Sequence, residues 1–313
     1  YWTYRDFNSA TGSYQPQPTT DFYRKYKSYA YKGGVNDVQA DGSLVYNSST
    51  SPFDFSNTAT NPNWQQTGVV TTYDHFSLPI ESQNSISKIY SSTKRDFNNR
   101  SILASASNAS YSEFAYSGAE DGDNTSVFFG AEVARSSGSV VTGAAGNVCH
   151  TGQKAIQLAA GNKSFVYKPY SLTSGRTYRA YVWSNSTNGA IYYTVGGVDQ
   201  LPTPVLVNQV GSWYRIAVDI PSTATEIGVK STSGTVSFDD FKFQPRDGAV
   251  TANVYDASTG YLTYTLGNDN LYTRYYYDDR GIVMKTYVES IKYNGERLVT
   301  ERKDNYKRNS TNQ

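Results

Sequence analysis

The sequence predicts an all-β protein, an antiparallel jelly-roll β-sandwich flanked by β-hairpin units, on three observations. Tyr is the unusual residue, at 29 of 313 against 13 Phe and 1 Met, and tyrosine with threonine suits pleated, half-buried surfaces. Helix formers such as Leu, Glu and Lys are scarce by comparison. Short alternating runs are punctuated by turn residues roughly every eight to twelve positions, with no apolar period of helix length.

Residues 1–66 are polar and broken by Pro16, Pro18, Gly33, Gly34 and Pro52, so they read as an irregular β and loop segment, with candidate strands at 23–31 and 43–46. Residues 67–113 change texture. GVVTTYDHFSLPIES and SKIYSSTKRDFNNRSILASASN each have an apolar-alternating run, a polar turn and a second run, the pattern of consecutive hairpins. Residues 114–247 carry shorter, strongly alternating runs, among them KAIQL, RTYRAYVWSNS, SWYRIAVDI and TVSFDDFKF, and read as a jelly roll of about eight strands. Residues 248–295 return to hairpins in TANVYDASTGYLTYTLG and TRYYYDDRGIVMKTY, where an aromatic–Asp pair enters a turn with Gly260 or Gly281 and an apolar residue, Leu262 or Val283, follows. Tyr255 and Tyr277 lie 22 residues apart, and Tyr73 and Phe97 lie 24 apart. A period in that range signals stacked supersecondary units. Residues 296–313 read as a polar tail.

Composition narrows the function. With 28 basic and 27 acidic side chains the net charge is +1, so the field that steers proteins onto nucleic acid or anionic membrane is absent. A nucleic-acid partner is not expected. No run of eighteen apolar residues occurs, so no transmembrane helix is expected. The single cysteine, Cys149, makes no internal disulfide. The chain opens on Tyr1, without a leader, and reads as a mature or truncated piece of something longer.

Enzyme signatures are missing. His75 and His150 are the only histidines, and there is no His-Glu-x-x-His, Gly-x-Ser-x-Gly or phosphate-cradling Gly loop. Cys149 and His150 are adjacent and face opposite ways if extended. Paired carboxylates for glycoside hydrolysis stay open, since the two acids need only meet in space.

The units with Tyr73 and Asp74, Tyr255 and Asp256, and Tyr277 and Asp278 resemble YD repeats of the Rhs class. Their order around the SNASYSEFAYSGAED entry and the SFDDFKFQP exit of the middle block is similar to large Bacteroidetes-type Rhs/YD-repeat surface or secreted proteins. Val283 stands where Leu is usual and the Tyr73 unit lacks its Gly, so the repeats are degenerate. The middle block separately resembles carbohydrate-binding-module-like jelly rolls. That resemblance implies a structural Ca²⁺ site from an early Glu, a His-x-Gly-x-Lys-type stretch and a terminal Asp-Asp, which here gives Glu120, Asp123, Gly152, Lys154 and Asp240. Calcium wants six to eight oxygens, and the acidic loop AEDGD is either such a site or a solvated loop. By strict alternation Phe241 and Asp239 share one face and Phe238 and Asp240 the other.

Aromatic residues complete the candidates. In RTYRAYVWSNS, Tyr178, Ala180 and Val182 share the face better suited to a core, which turns Tyr181 and Trp183 outward as glycan contacts; the alternative is that Trp183 and Trp213 fill the sandwich. The sequence therefore reads as a non-enzymatic extracellular or cell-surface module, with a calcium-stabilised carbohydrate-binding-like domain, for adhesion or within a larger secreted or outer-membrane assembly. A glycan and other surface or outer-membrane proteins are the expected partners. The competing readings are a carrier for a toxin or effector, or an accessory domain of a glycoside-active enzyme.

Overall fold

The computed structural model describes residues 3–8, 13–18, 24–33, 37, 39–41, 43, 53, 63–74, 76–96, 101–129 and 132–303. Tyr23, His75, Phe97, residues 44–46 and the tail from 304 lie outside the described residues. The architecture is all-β, in several antiparallel sheets. Contacts divide the chain into two compact units, Tyr1–Asp6 with Tyr14–Ser92, and Phe7–Ser13 with Thr93–Gln313.

In the first unit Lys27–Tyr31, Trp64–Tyr73 and Pro79–Asn84 pair antiparallel in that order. The Trp64 ring meets those of Tyr31 and Phe53 edge-on, with centroids 5.3 and 5.5 Å away. The turn after Tyr73 is built by Asp74, whose Oδ1 accepts the N–H of Phe76 and of Leu78 at 2.9 and 2.8 Å.

In the second unit a six-stranded sheet runs in the order Val198–Gln200, Gly189–Val195, Glu226–Ser231, Lys163–Tyr167, Val133–Ala134, Phe128–Phe129. A seven-stranded sheet runs Ser139–Thr142, Lys154–Leu158, Val236–Pro245, Thr177–Ser184, Trp213–Pro221, Leu206–Val210, with Ala115–Ser117 also paired to Val236–Pro245. Side chains of both sheets, among them Phe129, Phe165, Val182, Ile216, Phe238 and Phe241, form one core. Tyr178, Ala180 and Val182 face this core, as alternation predicts.

Alternation fails in the central strand Val236–Pro245, every residue of which is buried. Tyr181 and Trp183 sit opposite Lys242 and Asp239, so this strand carries one extra residue, and Asp240 takes φ +49°. A one-residue β-bulge of this kind shifts the facing of everything beyond it. Phe238 and Phe241 therefore both enter the core, and the expected split of Phe238 from Phe241 is corrected.

The C-terminal part forms consecutive antiparallel pairs through Ile102–Ser107, Ala249–Tyr255, Leu262–Leu266, Tyr272–Tyr277, Val283–Ser290 and Gly295–Glu301. Residues 295–301 are thus a strand, and the expected polar tail does not begin at 296. Asp256 Oδ1 accepts the N–H of Ser258 and Thr259 at 3.0 and 2.8 Å ahead of Gly260 at φ +73°. Asp278 Oδ1 accepts those of Arg280 and Ile282 at 3.0 and 2.9 Å ahead of Gly281 at φ +76°. The Asp74 turn repeats the Asp278 geometry, with Ser77 at φ +68° in place of the glycine. A short polar side chain bonding its own backbone two to four residues on is what these turns need from Asp.

Candidate functional site

Each carboxylate expected to hold a calcium ion accepts hydrogen bonds from the protein itself. Asp123 is exposed and spends its Oδ1 on the N–H groups of Thr125 and Ser126, at 2.7 and 3.0 Å. Asp240 is fully buried, and its oxygens accept from Tyr116 Oη at 2.8 Å, Thr151 Oγ1 at 2.9 Å and the His150 ring at 2.7 Å. Glu120 Oε1 accepts the backbone N–H of Gln153 and Lys154 at 2.7 and 2.8 Å. Gly152, at φ +57°, permits this approach, because a Cβ there would lie 2.1 Å from Glu120 Oε1. Lys154 brings a cation of its own, donating Nζ to the carbonyls of Glu120 and Gly122 at 3.0 and 2.7 Å. Among the described residues no three His, Cys, Asp or Glu side chains are placed to hold a metal ion. These donors and acceptors form a hydrogen-bonded lock, from which the expected ligand Asp123 stands apart.

That lock gathers buried titratable groups. Burial, with Asp240 adding to it, pushes the Glu120 carboxyl up to about 7, against the pull of the two N–H bonds. Burial and the charges of Asp240 and Glu120 raise Asp239 well above the carboxylate range, although it accepts the N–H of His150 and Thr151 at 2.8 and 3.1 Å. His150 lies between Asp240 and Glu289. Burial opposes its charged form, yet Glu289 and Asp240 hold the ring up to about 9, so the imidazolium donates to Asp240 Oδ2 and to Glu289 Oε1 at 2.7 and 2.8 Å. Burial and these carboxylates push the Cys149 thiol up to about 12.

Trp183 lies inside this lock. Its ring stacks on His150 at 3.9 Å and its Nε1–H donates to Asn270 O at 2.8 Å, with no exposed surface. Tyr181 is buried too, beneath the Lys242 ammonium 5.4 Å from its ring centre. Both point away from the sandwich core, as expected, but the outward face is covered, with Trp183, Val210 and Trp213 packed under Leu271 and Ile291. The assignment of Tyr181 and Trp183 as glycan contacts is corrected: neither presents a ring face to solvent.

Accessible aromatic surface lies on the C-terminal hairpins. An open groove of about 630 Å³ is lined by Tyr255, Tyr261, Tyr276, Tyr277, Arg274 and Gln153, among others. Tyr261 and Tyr276 are 37% and 38% exposed. The Tyr261 and Tyr277 rings stand 4.9 Å apart, and the Arg274 guanidinium lies 4.3 Å over Tyr276. Tyr264 and Arg274 also line a neighbouring cavity of about 270 Å³, reaching Trp213, His150, Tyr272, Glu289 and Glu296. A further cavity of about 240 Å³ holds Asp96, Glu120 and Asp121; burial and Asp96 push Asp121 up to about 6. Sequence reasoning missed the groove. The available signal was the dense tyrosine run TRYYYDD, which the repeat pattern absorbed as scaffold.

No family model and no curated protein matches the chain. Among solved structures it is similar to the module pair, a family 22 carbohydrate-binding module with a GH10 module, of Clostridium thermocellum endo-1,4-β-D-xylanase 10B in complex with xylohexaose. That match has 13% identity and a TM-score of 0.23, over 43% of this chain and 26% of that one. The C-terminal family 22 carbohydrate-binding module of the same xylanase matches at 15% identity and a TM-score of 0.24, over 44% of this chain and 88% of that one. The enzymatically active domain of bacteriophage CBA120 tailspike protein 4 matches at 13% identity and a TM-score of 0.23, over 42% and 19%. At these scores the likenesses carry no inference about this chain, which spans about a quarter of the first of them.

Proposed function

We propose that the chain is a non-enzymatic, extracellular or cell-surface carbohydrate-binding module, a jelly roll flanked by degenerate YD-repeat hairpins. It serves as an accessory domain of a glycoside-active protein or as an adhesive part of a larger secreted or outer-membrane assembly. The observation that carries this reading is the open groove with the half-exposed rings of Tyr261 and Tyr276. A pyranose has an apolar face and a polar rim, and tyrosine offers the matching pair, a flat apolar body with a polar tip. A shallow groove buries little of an oligosaccharide, so dissociation constants near the millimolar range, about −4 kcal/mol, are expected.

Titration calorimetry of the whole chain with xylohexaose, cellohexaose, mannohexaose, chitohexaose and maltohexaose tests the proposal. At least one hexaose should bind, and Tyr276→Ala should weaken it at least tenfold without moving the melting temperature. Failure of all five to bind at about 10 mM would sink it. Reducing-end release in the same samples tests the glycoside-active alternative.

A further inference from the structure

We infer that the tyrosine groove takes an amine-bearing glycan, a chain of glucosamine-type residues with free amino groups, in preference to a neutral or an acidic chain. This names the substrate class of the groove and rests on the groove being a glycan site. Two independent observations carry it: the balance of charge along the groove, and the place of Tyr261 within it.

Among the residues lining the groove Arg274 is the single cation, against carboxylates at Glu120, Asp256, Asp278 and Asp279. Two of these act little on a ligand. Glu120 is bonded to the 153–154 backbone and raised by burial to about 7, and Asp278 pairs through Oδ2 with Arg280 Nη2 at 2.8 Å. Asp256 and Asp279 remain. Asp256 accepts from Ser258 and Thr259 through Oδ1 alone, bonds that hold its carboxyl down at about 2 and therefore ionised. Asp279 is exposed, and no donor or cation meets it among the described residues. Arg274 does not offset them, since its Nη1 pairs with Glu296 Oε1 at 3.3 Å. A uronic acid or a sulfated sugar meets repulsion from these two charges, and an ammonium meets attraction.

Tyr261 joins the charges to the aromatic surface. Its carbonyl accepts the Asp256 N–H at 2.9 Å, and its hydroxyl lies against the Asp278 turn, where a Cβ on Gly281 would come within 2.6 Å of Oη. One ring, 37% exposed, thus runs from the first Asp turn to the second. A tyrosine face attracts a cation as well as the apolar face of a sugar. Tyr276 shows the first of these attractions within the protein, with the Arg274 guanidinium 4.3 Å from its ring centre. A glucosamine residue brings both parts at once, an apolar ring face and an ammonium beside it. N-acetylation keeps the face and removes the charge, and a lysine side chain has the charge without the face.

Calorimetry of the whole chain, in mildly acidic buffer at low salt, compares glucosamine hexaose with its N-acetylated form chitohexaose, with galacturonate hexaose and with hexalysine. An exposed ion pair is worth about two- to fivefold in affinity. With two carboxylates to meet, glucosamine hexaose should bind about five- to tenfold more tightly than chitohexaose, and galacturonate hexaose more weakly than either. Added salt should narrow the gap. Asp279→Asn alters a side chain that holds no turn bond, and should weaken glucosamine hexaose about two- to fivefold while leaving chitohexaose unchanged. If chitohexaose binds as tightly as glucosamine hexaose while Tyr276→Ala still abolishes binding, the groove is a glycan site and the amine inference is wrong. If hexalysine binds as well as glucosamine hexaose, the groove reads charge alone and the inference is equally wrong. If no neutral hexaose binds, the glycan reading falls and this inference with it.

Discussion

Removing the proton from His150 dismantles an arrangement in which one buried imidazolium donates to two carboxylates, Asp240 at 2.7 Å and Glu289 at 2.8 Å. Burial opposes the charged ring, but Glu289 and Asp240 hold its pKa at about 9, against an ordinary 6.5. A folded-state pKa above the unfolded one means that the stabilisation is fully present below pH 6.5 and is lost as the pH rises through 9. The gap between the two values, at about 1.4 kcal/mol per pH unit, amounts to roughly 3 kcal/mol. Lys242 acts in the opposite sense. Burial lowers its ammonium from 10.5 to about 7, so it adds stability as the pH climbs from 7 towards 10.5, and the slope for the whole protein mixes the two. The difference between the parent chain and His150→Gln cancels Lys242. Urea unfolding followed by the fluorescence of Trp183, which stacks on His150, should show that difference shrinking by about 3 kcal/mol between about pH 6 and about pH 9.5. A difference that stays constant over that range would refute the assignment of a charged, doubly bonded His150.

The remaining predictions concern the turns, the covered face and the carboxylates. Gly281→Val combines a left-handed φ of +76° with a Cβ 2.6 Å from Tyr261 Oη, so it should cost about 1–3 kcal/mol and open the 278–282 turn to limited proteolysis; an unchanged cleavage rate counts against this. Trp183→Ala should lower stability by about 3–5 kcal/mol, and a near-neutral effect in urea unfolding would return Trp183 to the surface. Excess chelator should leave the melting temperature unchanged, because the Lys154 ammonium already occupies the carbonyls of Glu120 and Gly122; a drop would show calcium bound to the native state. Asn270→Gly keeps a residue suited to φ +64° but deletes the Nδ2 bond to Asp240 O at 2.8 Å, so stability should fall by about 1 kcal/mol; an unchanged urea midpoint would show that bond to be idle.

What the sequence revealed follows the range of the forces involved. The turns at Asp74, Asp256 and Asp278 were legible because a carboxylate bonding the backbone two to four residues on is a local event. The inward face of Thr177–Ser184 was legible because period-two alternation is local too. The bulge at Asp239 and Asp240 was not, since one inserted residue leaves no mark on composition, and it reversed the facing assigned to Phe241. Trp183 was given the right side of its strand and the wrong environment. Its cover, Asn270 and Leu271, lies nearly ninety residues downstream, and alternation says nothing about a second layer. The His150–Glu289 contact spans 139 residues and was equally out of reach.

The covered face also explains why a chain this polar buries so many charges in one place. The turn between Leu262–Leu266 and Tyr272–Tyr277 is fastened to the outer face of the seven-stranded sheet by directional bonds. Trp183 Nε1 donates to Asn270 O at 2.8 Å, Arg215 Nη1 to Asp269 O at 2.7 Å, Lys242 Nζ to Asn268 O at 3.2 Å and Asn270 Nδ2 to Asp240 O at 2.8 Å. An apolar contact of the same area would hold the two layers together but tolerate sliding, because the hydrophobic effect has no direction. Bonds to fixed carbonyls do not tolerate it. Tyr264 precedes this turn and Arg274 follows it, so two side chains that line both the groove and the neighbouring cavity are placed by the lock, not by their own strand alone. The bulge at Asp240 belongs to the same design: it turns both Asp239 and Asp240 out of the core and towards His150, Thr151 and Asn270. A regular strand would have sent one of those carboxylates inward among the phenylalanines, where nothing could pair with it.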